Sequence, residues 1–168
     1  MNKQKMISYL FASGISLAAL ISGVTLVAPS ESFRNETYLD PVGIVTSCAG
    51  HVDSKQKLGD VFTDEECLDK FAKDLLKADK DVDSAITVPL TVWQRAALIS
   101  FTYNVGETAM RNSSLVKQFN QGNYDRGCDM LLAWVYSKGK KLKGLEVRRE
   151  KERQMCLGNV DINDVLKD

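Results

Sequence analysis

Three residues early in the chain have types and spacing suited to chemistry. They are Glu31, Asp40 and Thr46, within the stretch ESFRNETYLDPVGIVTSCAGH that spans residues 31–51. The two carboxyls sit among turn-forming residues, Asp40-Pro41 and Gly43, and a short β-branched run, Ile44-Val45-Thr46, follows. Cleaving a glycosidic bond needs such a pair. One carboxyl stays protonated to hand a proton to the leaving oxygen, and the other stays ionised to activate water or stabilise a cationic transition state. Glu31 is the candidate general acid, because it stands where an apolar stretch ends, beside Phe33, and apolar neighbours raise a carboxyl pKa. Asp40, in its turn, is expected to be more solvated and ionised, with the Thr46 hydroxyl holding the attacking water against it. A water between sugar and Asp40 predicts a carboxyl separation in the inverting range, about 6.5–9.5 Å. The competing reading is a pair of solvated surface carboxylates, the usual fate of charged side chains.

The pattern belongs to a longer likeness. Glu, eight residues, Asp, five residues, Thr, then Gly50-His51 resembles the active-site signature of phage-type lysozymes, glycoside hydrolase family 24. The resemblance continues in order through Ser100-Phe101-Thr102-Tyr103-Asn104-Val105-Gly106, Trp134, and the Gly144-Leu145…Arg148-Arg149…Glu152-Arg153 run, covering residues 31–157. Ser32 stands where the family usually has Gly, and Thr46-Ser47-Cys48-Ala49-Gly50-His51 where it usually has Thr-Ile-Gly-Tyr-Gly-His. With its uncharged N-terminal stretch, the chain is similar to the signal-arrest-release endolysins of lambdoid phages. The resemblance implies a mainly helical α+β, lysozyme-like fold of two lobes. A small β-hairpin lobe would carry Asp40 and Thr46, a helical lobe would start near Thr63, and the cleft between them would hold a glycan strand. It implies hydrolysis of the β-1,4 bond between N-acetylmuramic acid and N-acetylglucosamine in peptidoglycan, causing host lysis. Glu31, Asp40 and Thr46 would be proton donor, water-activating carboxylate and water-positioning hydroxyl, with no cofactor. Arg148 or Arg149 is a candidate partner for Glu31, a purely structural salt bridge being an equal reading. His51 is expected to brace the hairpin rather than act as a base. Two other classes compete. A lytic transglycosylase would need one acid and no water-activating carboxylate, which Asp40 and Thr46 speak against. A membrane-tethered wall-binding module would need neither carboxyl.

Lys3 and Lys5 precede a stretch, Met6 to Ser30, that has no charged residue. Its length suits a bilayer-spanning helix, and the lysines favour an N-terminus kept in the cytoplasm. Of the 23 residues from Met6 to Ala28, however, 11 are small or hydroxylic. Each replaces a larger apolar group worth ~0.8 kcal/mol per methylene in lipid, so insertion is marginal. A cleaved signal peptide is disfavoured by Leu26 and Pro29 around the best site, after Ala28. A permanent anchor would carry more Leu, Ile and Phe. The resemblance implies a third reading, an uncleaved signal-anchor helix (residues 1–28) that later leaves the host inner membrane for the periplasm, ahead of a catalytic domain over residues 29–168. Glu31 would then be kept from the cleft until release.

The 168-residue chain has zero formal net charge, unevenly placed. Asp53 to Asp83 holds ten acidic and six basic residues, whereas Lys138 to Arg153 holds eight basic and three acidic. Aromatic residues do not interleave with the basic ones, so nucleic acid is not expected as a partner. A solvated helix face, or a surface for an anionic wall polymer, fits better. The protein is expected to be a monomer. Four cysteines, Cys48, Cys67, Cys128 and Cys156, include no close pair, and with a single His they make a metal site improbable on spacing grounds. An even set behind an export segment suggests disulfides. Of three connectivities the sequence-local one, Cys48–Cys67 with Cys128–Cys156, is favoured, and buried free thiols are the alternative.

Periodicity orders the rest. The lobe begun near Val42 is expected to run to Phe62. Thr63 with Glu66 fits a capping box, followed by an apolar stripe at Cys67, Phe71, Leu75, Ala78 and Val82. Thr91 with Gln94 repeats the cap before Val92–Val105, apolar almost all round and closed by Gly106. Trp93, Phe101 and Tyr103 read as core packing. Helices are expected over residues 114–121, 124–136 and 145–157, and the acidic tail after Gly158 says little.

Overall fold

The computed structural model describes residues 2–31, 33–40 and 43–160. The expectations placed on Ser32, Pro41, Val42 and the tail from residue 161 lie outside the described residues.

The elements follow from local signals. The Thr63 hydroxyl accepts from the Glu66 N–H and the Glu66 carboxylate from the Thr63 N–H, so both orphan donors are satisfied and α3 runs Asp64–Ala85. Thr91 and Gln94 make the same reciprocal cap on α4, Val92–Val105. Gly106, with φ +83°, ends that helix in a backbone state that glycine adopts without strain. Three further helices follow: α5 (Glu107–Arg111), which the sequence reading lacked, α6 (Ser114–Asn120) and α7 (Tyr124–Asp129). The expected helix over 124–136 stops early. Met130–Ala133 tightens into a 3-10 turn, and Tyr136–Ser137 and Lys140–Lys141 form a two-residue antiparallel hairpin around Lys138-Gly139, both at positive φ. The last helix, here α8, is Lys143–Cys156.

The first hairpin pairs β1 (Arg34–Leu39) with β2 (Val45–Cys48), matching Tyr38 with Thr46 and Leu39 with Val45. A strand therefore precedes Asp40, and Thr46 lies on the second strand of the hairpin. The 57–62 segment runs along β1, with the Thr37 N–H donating to Asp60 O at 2.9 Å and Phe62 N–H to Asn35 O at 2.7 Å.

The N-terminal stretch is not one helix. It breaks into α1 (Lys3–Ala12), α2 (Leu17–Ser22) and a π-helical turn (Gly23–Val27). Gly14, at φ +69°, turns the chain, and the Ser16 hydroxyl caps α2 by accepting from the Ala19 N–H. Met6, Leu10, Ala19, Ile21, Val24 and Val27 are buried in one cluster with Phe71, Leu75 and Ile99 of α3 and α4. Polar ties fix its position on α3. The Tyr9 hydroxyl donates to Asp69 at 3.2 Å, Ser16 donates to Asp79 at 2.7 Å, and Lys5 pairs with Glu65 at 3.6 Å. No helix among the described residues is long and apolar enough to cross a membrane. Breaking a 25-residue apolar run into short helices lets its apolar faces meet a lobe on one side, where a bilayer would demand an apolar surface all round.

Disulfides join Cys48 to Cys67 and Cys128 to Cys156. The first ties β2 to α3, the second α7 to α8.

Candidate active site

Glu31 follows directly from the packed N-terminal segment, its N–H donating to Val27 O at 3.0 Å. Its carboxyl meets a cation rather than the expected apolar setting. Arg148 Nη1 on α8 donates to Glu31 Oε1 at 2.7 Å, and the two side chains are 6% and 22% exposed. Of the two candidate arginines only Arg148 makes this contact. Arg149 is fully buried and turned to Glu152, 2.8 Å away, with its guanidinium over the Phe101 ring. On the other side of the carboxyl lies Gly50. It has φ +83°, and a Cβ added there would stand 3.4 Å from Glu31 Oε2, so the β2 turn approaches Glu31 as bare backbone.

Asp40 and Thr46 are braced through one residue. The Ile44 N–H donates to Asp40 Oδ1 at 2.8 Å, and the Ile44 carbonyl accepts from Thr46 Oγ1 at 3.1 Å. Two more backbone bonds, Asp40 N–H to Ile44 O and Gly43 N–H to Asp40 O, close the turn at 2.9 Å each. Asp40 is half-buried and Thr46 buried, so the pair is held by the turn itself rather than by long side chains.

Tyr38, opposite Thr46 in the hairpin, reports on both carboxyls. Its phenol is held above the ordinary value first by burial, then by Glu31 and Asp40, with Arg34 opposing. Tyr103 of α4 is pushed well above the ordinary value, chiefly by desolvation and then by Asp74 and Glu31. Its hydroxyl donates to Ala49 O at 2.6 Å and thereby pins the Cys48–Gly50 turn against the helical lobe. The sequence read Tyr103 only as core. It does stack edge-on against Phe71, but its hydroxyl faces the site.

His51 braces the same turn. Its N–H donates to Ser47 O and the Ser47 N–H to His51 O, both at 2.9 Å, while Nδ1 lies 2.8 Å from Asp74 Oδ2 on α3. Asp74 gave no sequence signal, being one acid among many on α3. An imidazole on a hairpin requires a polar partner, and that requirement was the available clue.

Glu31 lines one cavity, and Gly50 beside it lines another. One, of about 570 Å³, is lined by Glu31, Pro29, Asn104, Lys143, Arg148 and Lys151 and is basic. The other, of about 220 Å³, runs past Gly50, Val52, Asp74, Asp81, Tyr103 and Glu107 and is predominantly acidic.

Comparison with known proteins bears on the family and the fold. The phage lysozyme family model matches residues 28–152. A SAR-endolysin of bacteriophage PS119 is 38% identical over 145 residues, covering 83% of this chain and 87% of the relative. The active form of P1 phage endolysin Lyz has TM-score 0.82 at 26% identity, covering 96% of this chain and 97% of that one. The secreted inactive form of the same endolysin reaches only 0.50 at 27% identity, over 64% of this chain and 78% of that one.

Proposed function

The chain belongs to the phage lysozyme family, and from that premise we propose that it is an endolysin with muramidase activity. It hydrolyses the β-1,4 bond between N-acetylmuramic acid and N-acetylglucosamine in peptidoglycan and so lyses the host cell. The observation that carries this reading is that Glu31 meets Arg148, 117 positions away, beside Gly50 of the turn that follows the Thr46 strand, while Ile44 clasps Asp40 and Thr46 in the same hairpin.

In the proposed mechanism a glycan strand lies along the groove past Gly50 and Glu31. Glu31 protonates the leaving oxygen as general acid while Asp40 takes a proton from a water that the Thr46 hydroxyl orients. Attack of that water on the face opposite the leaving group inverts the anomeric centre. Arg148 fixes the carboxyl so that the reacting atoms meet in a productive geometry, which contributes several kcal/mol to catalysis. The basic cavity edged by Lys143 and Lys151 attracts the anionic polymer. The purified protein acts as a monomer.

Residues 1–28 are proposed to be a signal-arrest-release segment and residues 29–168 the catalytic domain. While the segment lies in the inner membrane, Glu31 is held at the bilayer surface and the enzyme is inactive. After release to the periplasm the segment breaks at Gly14 and packs on α3 and α4, which brings Glu31 to Arg148. Two observations support this: the buried apolar faces of residues 6–27, and the better match to the active than to the secreted inactive form of P1 endolysin. Leu at both Gly14 and Ser16 would add lipid affinity, strain the turn at φ +69° and remove the Ser16–Asp79 bond. That variant is expected to stay membrane-bound and lysis-negative, and full lysis by it would refute the release scheme.

The catalytic reading is tested with purified protein on peptidoglycan, reading the products by NMR and mass spectrometry. Native enzyme is expected to give reducing ends of inverted configuration, and Glu31→Gln and Asp40→Asn to be folded and inactive. Anhydro-sugar products would mark a transglycosylase. Undiminished wall lysis by both variants would leave only a binding module.

A further inference from the structure

The mechanism leaves one group of buried charges unused. Glu152 is fully buried on α8, one turn beyond Arg148. Its Oε1 accepts from three donors: Ser100 Oγ of α4 at 2.7 Å, Arg149 Nη2 at 2.9 Å and Arg148 Nε at 3.3 Å. Arg149 Nε stands 2.8 Å from Oε2 but out of line for a hydrogen bond, so that contact is ionic. Arg148 in turn uses Nη2 on Ser100 O at 3.3 Å and Nη1 on Glu31 at 2.7 Å. One edge of its guanidinium is held by Glu152 and Ser100, and its third nitrogen, Nη1, points at Glu31.

A buried carboxylate that loses one partner costs far more than the net worth of the pair, so such a cluster is expensive unless it serves something. Without Glu31 the group holds two arginines against one carboxylate, and Glu31 brings it to neutrality. We propose that Glu152 is a positioning residue for the catalytic acid. It aims Arg148 at Glu31, and by drawing on the charge of Arg148 it weakens that arginine's grip on the Glu31 carboxylate, so that Glu31 keeps the proton it must deliver. Burial raises the Glu152 carboxyl above its ordinary value, and Arg149, Arg148 and the Ser100 hydrogen bond work against that rise. The charged and titratable groups facing this pair of carboxyls include Arg148, Arg149 and the rim lysines Lys143 and Lys151 of α8, Lys3 of α1, Tyr103 of α4 and Tyr38 of β1. Among the described residues Arg148 alone touches both carboxyls. The inference rests on Glu31 being the general acid.

The test is the pH dependence of kcat and KM on soluble peptidoglycan fragments for Glu152→Gln, with folding checked by circular dichroism. Freed of Glu152, Arg148 holds the Glu31 carboxylate harder. The alkaline limb of the kcat profile is therefore expected to move down by about one pH unit, the low end of what a nearby charge produces. At pH 7 kcat falls about tenfold with KM within about twofold. In an Arg148→Lys background the same change adds no further loss, because Glu152 acts through Arg148. An unchanged limb in folded Glu152→Gln, or an equal loss in the Arg148→Lys background, overturns the proposal. If Glu152→Gln does not fold, Ser100→Ala, which keeps every charge, carries the test: a several-fold drop in kcat at native KM supports positioning, and native kcat refutes it. Glu31→Gln run alongside separates the two layers. An active Glu31→Gln sinks the assignment of the acid, whereas an inactive one with a native profile in Glu152→Gln sinks only the role of Glu152.

Discussion

Gly23→Ala probes the packing that brings Glu31 to its site. Gly23 sits in the π-helical turn against α3, and a Cβ there would lie 2.6 Å from Leu75 Cδ1 and 3.5 Å from Leu10 Cδ1 and Phe71 Cζ. Leu75, Leu10 and Phe71 are themselves at most 1% exposed, so the methyl has nowhere to go and the turn or Leu75 must shift. Overpacking of this kind costs about 1–3 kcal/mol. For a chain of 168 residues, unfolding as one unit, each kcal/mol lowers Tm by about 2–4 °C, so a fall of roughly 2–12 °C is expected. The same methyl gains ~0.8 kcal/mol in lipid, so the balance between docked and membrane-held segment shifts by roughly 2–4 kcal/mol. At 1.4 kcal/mol per decade, released lytic activity should drop at least tenfold. Calorimetry on purified protein and fractionation of expressing cells read the two parts separately. Leu75→Val, which shortens the obstructing side chain, should couple to Gly23→Ala by 0.5 kcal/mol or more in a double-mutant cycle, within the usual range for contacting residues, about 0.5–3 kcal/mol. A Gly23→Ala protein with native Tm would refute the packing account whatever its lysis, because no membrane enters that measurement.

The raised Tyr103 phenol makes folding favour its protonated form, so its contribution is complete below about pH 10 and is lost as pH rises towards the folded value. Tyr103→Phe should cost about 1–2 kcal/mol at pH 7, by leaving Ala49 O unpaired, yet flatten the loss of stability above pH 10 in alkaline denaturant titrations. Thr63→Ala should cost about 1 kcal/mol at neutral pH through loss of the α3 cap. Backbone hydrogen bonding from Thr63 holds the Glu66 carboxyl below its ordinary value, so its contribution is present above that value and lost as pH falls through the folded one. The difference between Glu66→Gln and native protein should therefore narrow below about pH 4 in acid unfolding curves. The disulfides close loops of 19 and 28 residues' separation, and replacing either pair by Ser should lower stability by about 3 kcal/mol in urea titrations under non-reducing conditions.

Much of the helical lobe was legible because its signals are local. The boxes at Thr63 and Thr91 begin α3 and α4, the Cys67-Phe71-Leu75-Ala78-Val82 stripe faces inward, and α4 is apolar on nearly every side because it is enclosed. The site was legible only as types and spacing. Glu31, Asp40 and Thr46 lie close in sequence, but nothing between them announces that Ile44 clasps two of them or that Gly50 lies against the first. The break after Asp129 was missed because Tyr124 to Tyr136 contains no proline and only Gly127 as a weak helix former.

Composition alone singled out residues 6–30 as an uncharged run with apolar residues to bury. It could not say hidden against what, because a bilayer and a protein core reward the same residues. The tertiary structure decided for α3 and α4, through shape: Gly23 fits where Leu75 leaves no room, and Ser16 and Tyr9 find Asp79 and Asp69. In the same way α8 reads as a solvated basic helix, yet Arg148, Arg149 and Glu152 are buried. A charge is affordable in the interior only beside its partners. Those partners, Ser100 and Glu31, come from 48 to 117 positions away in the chain.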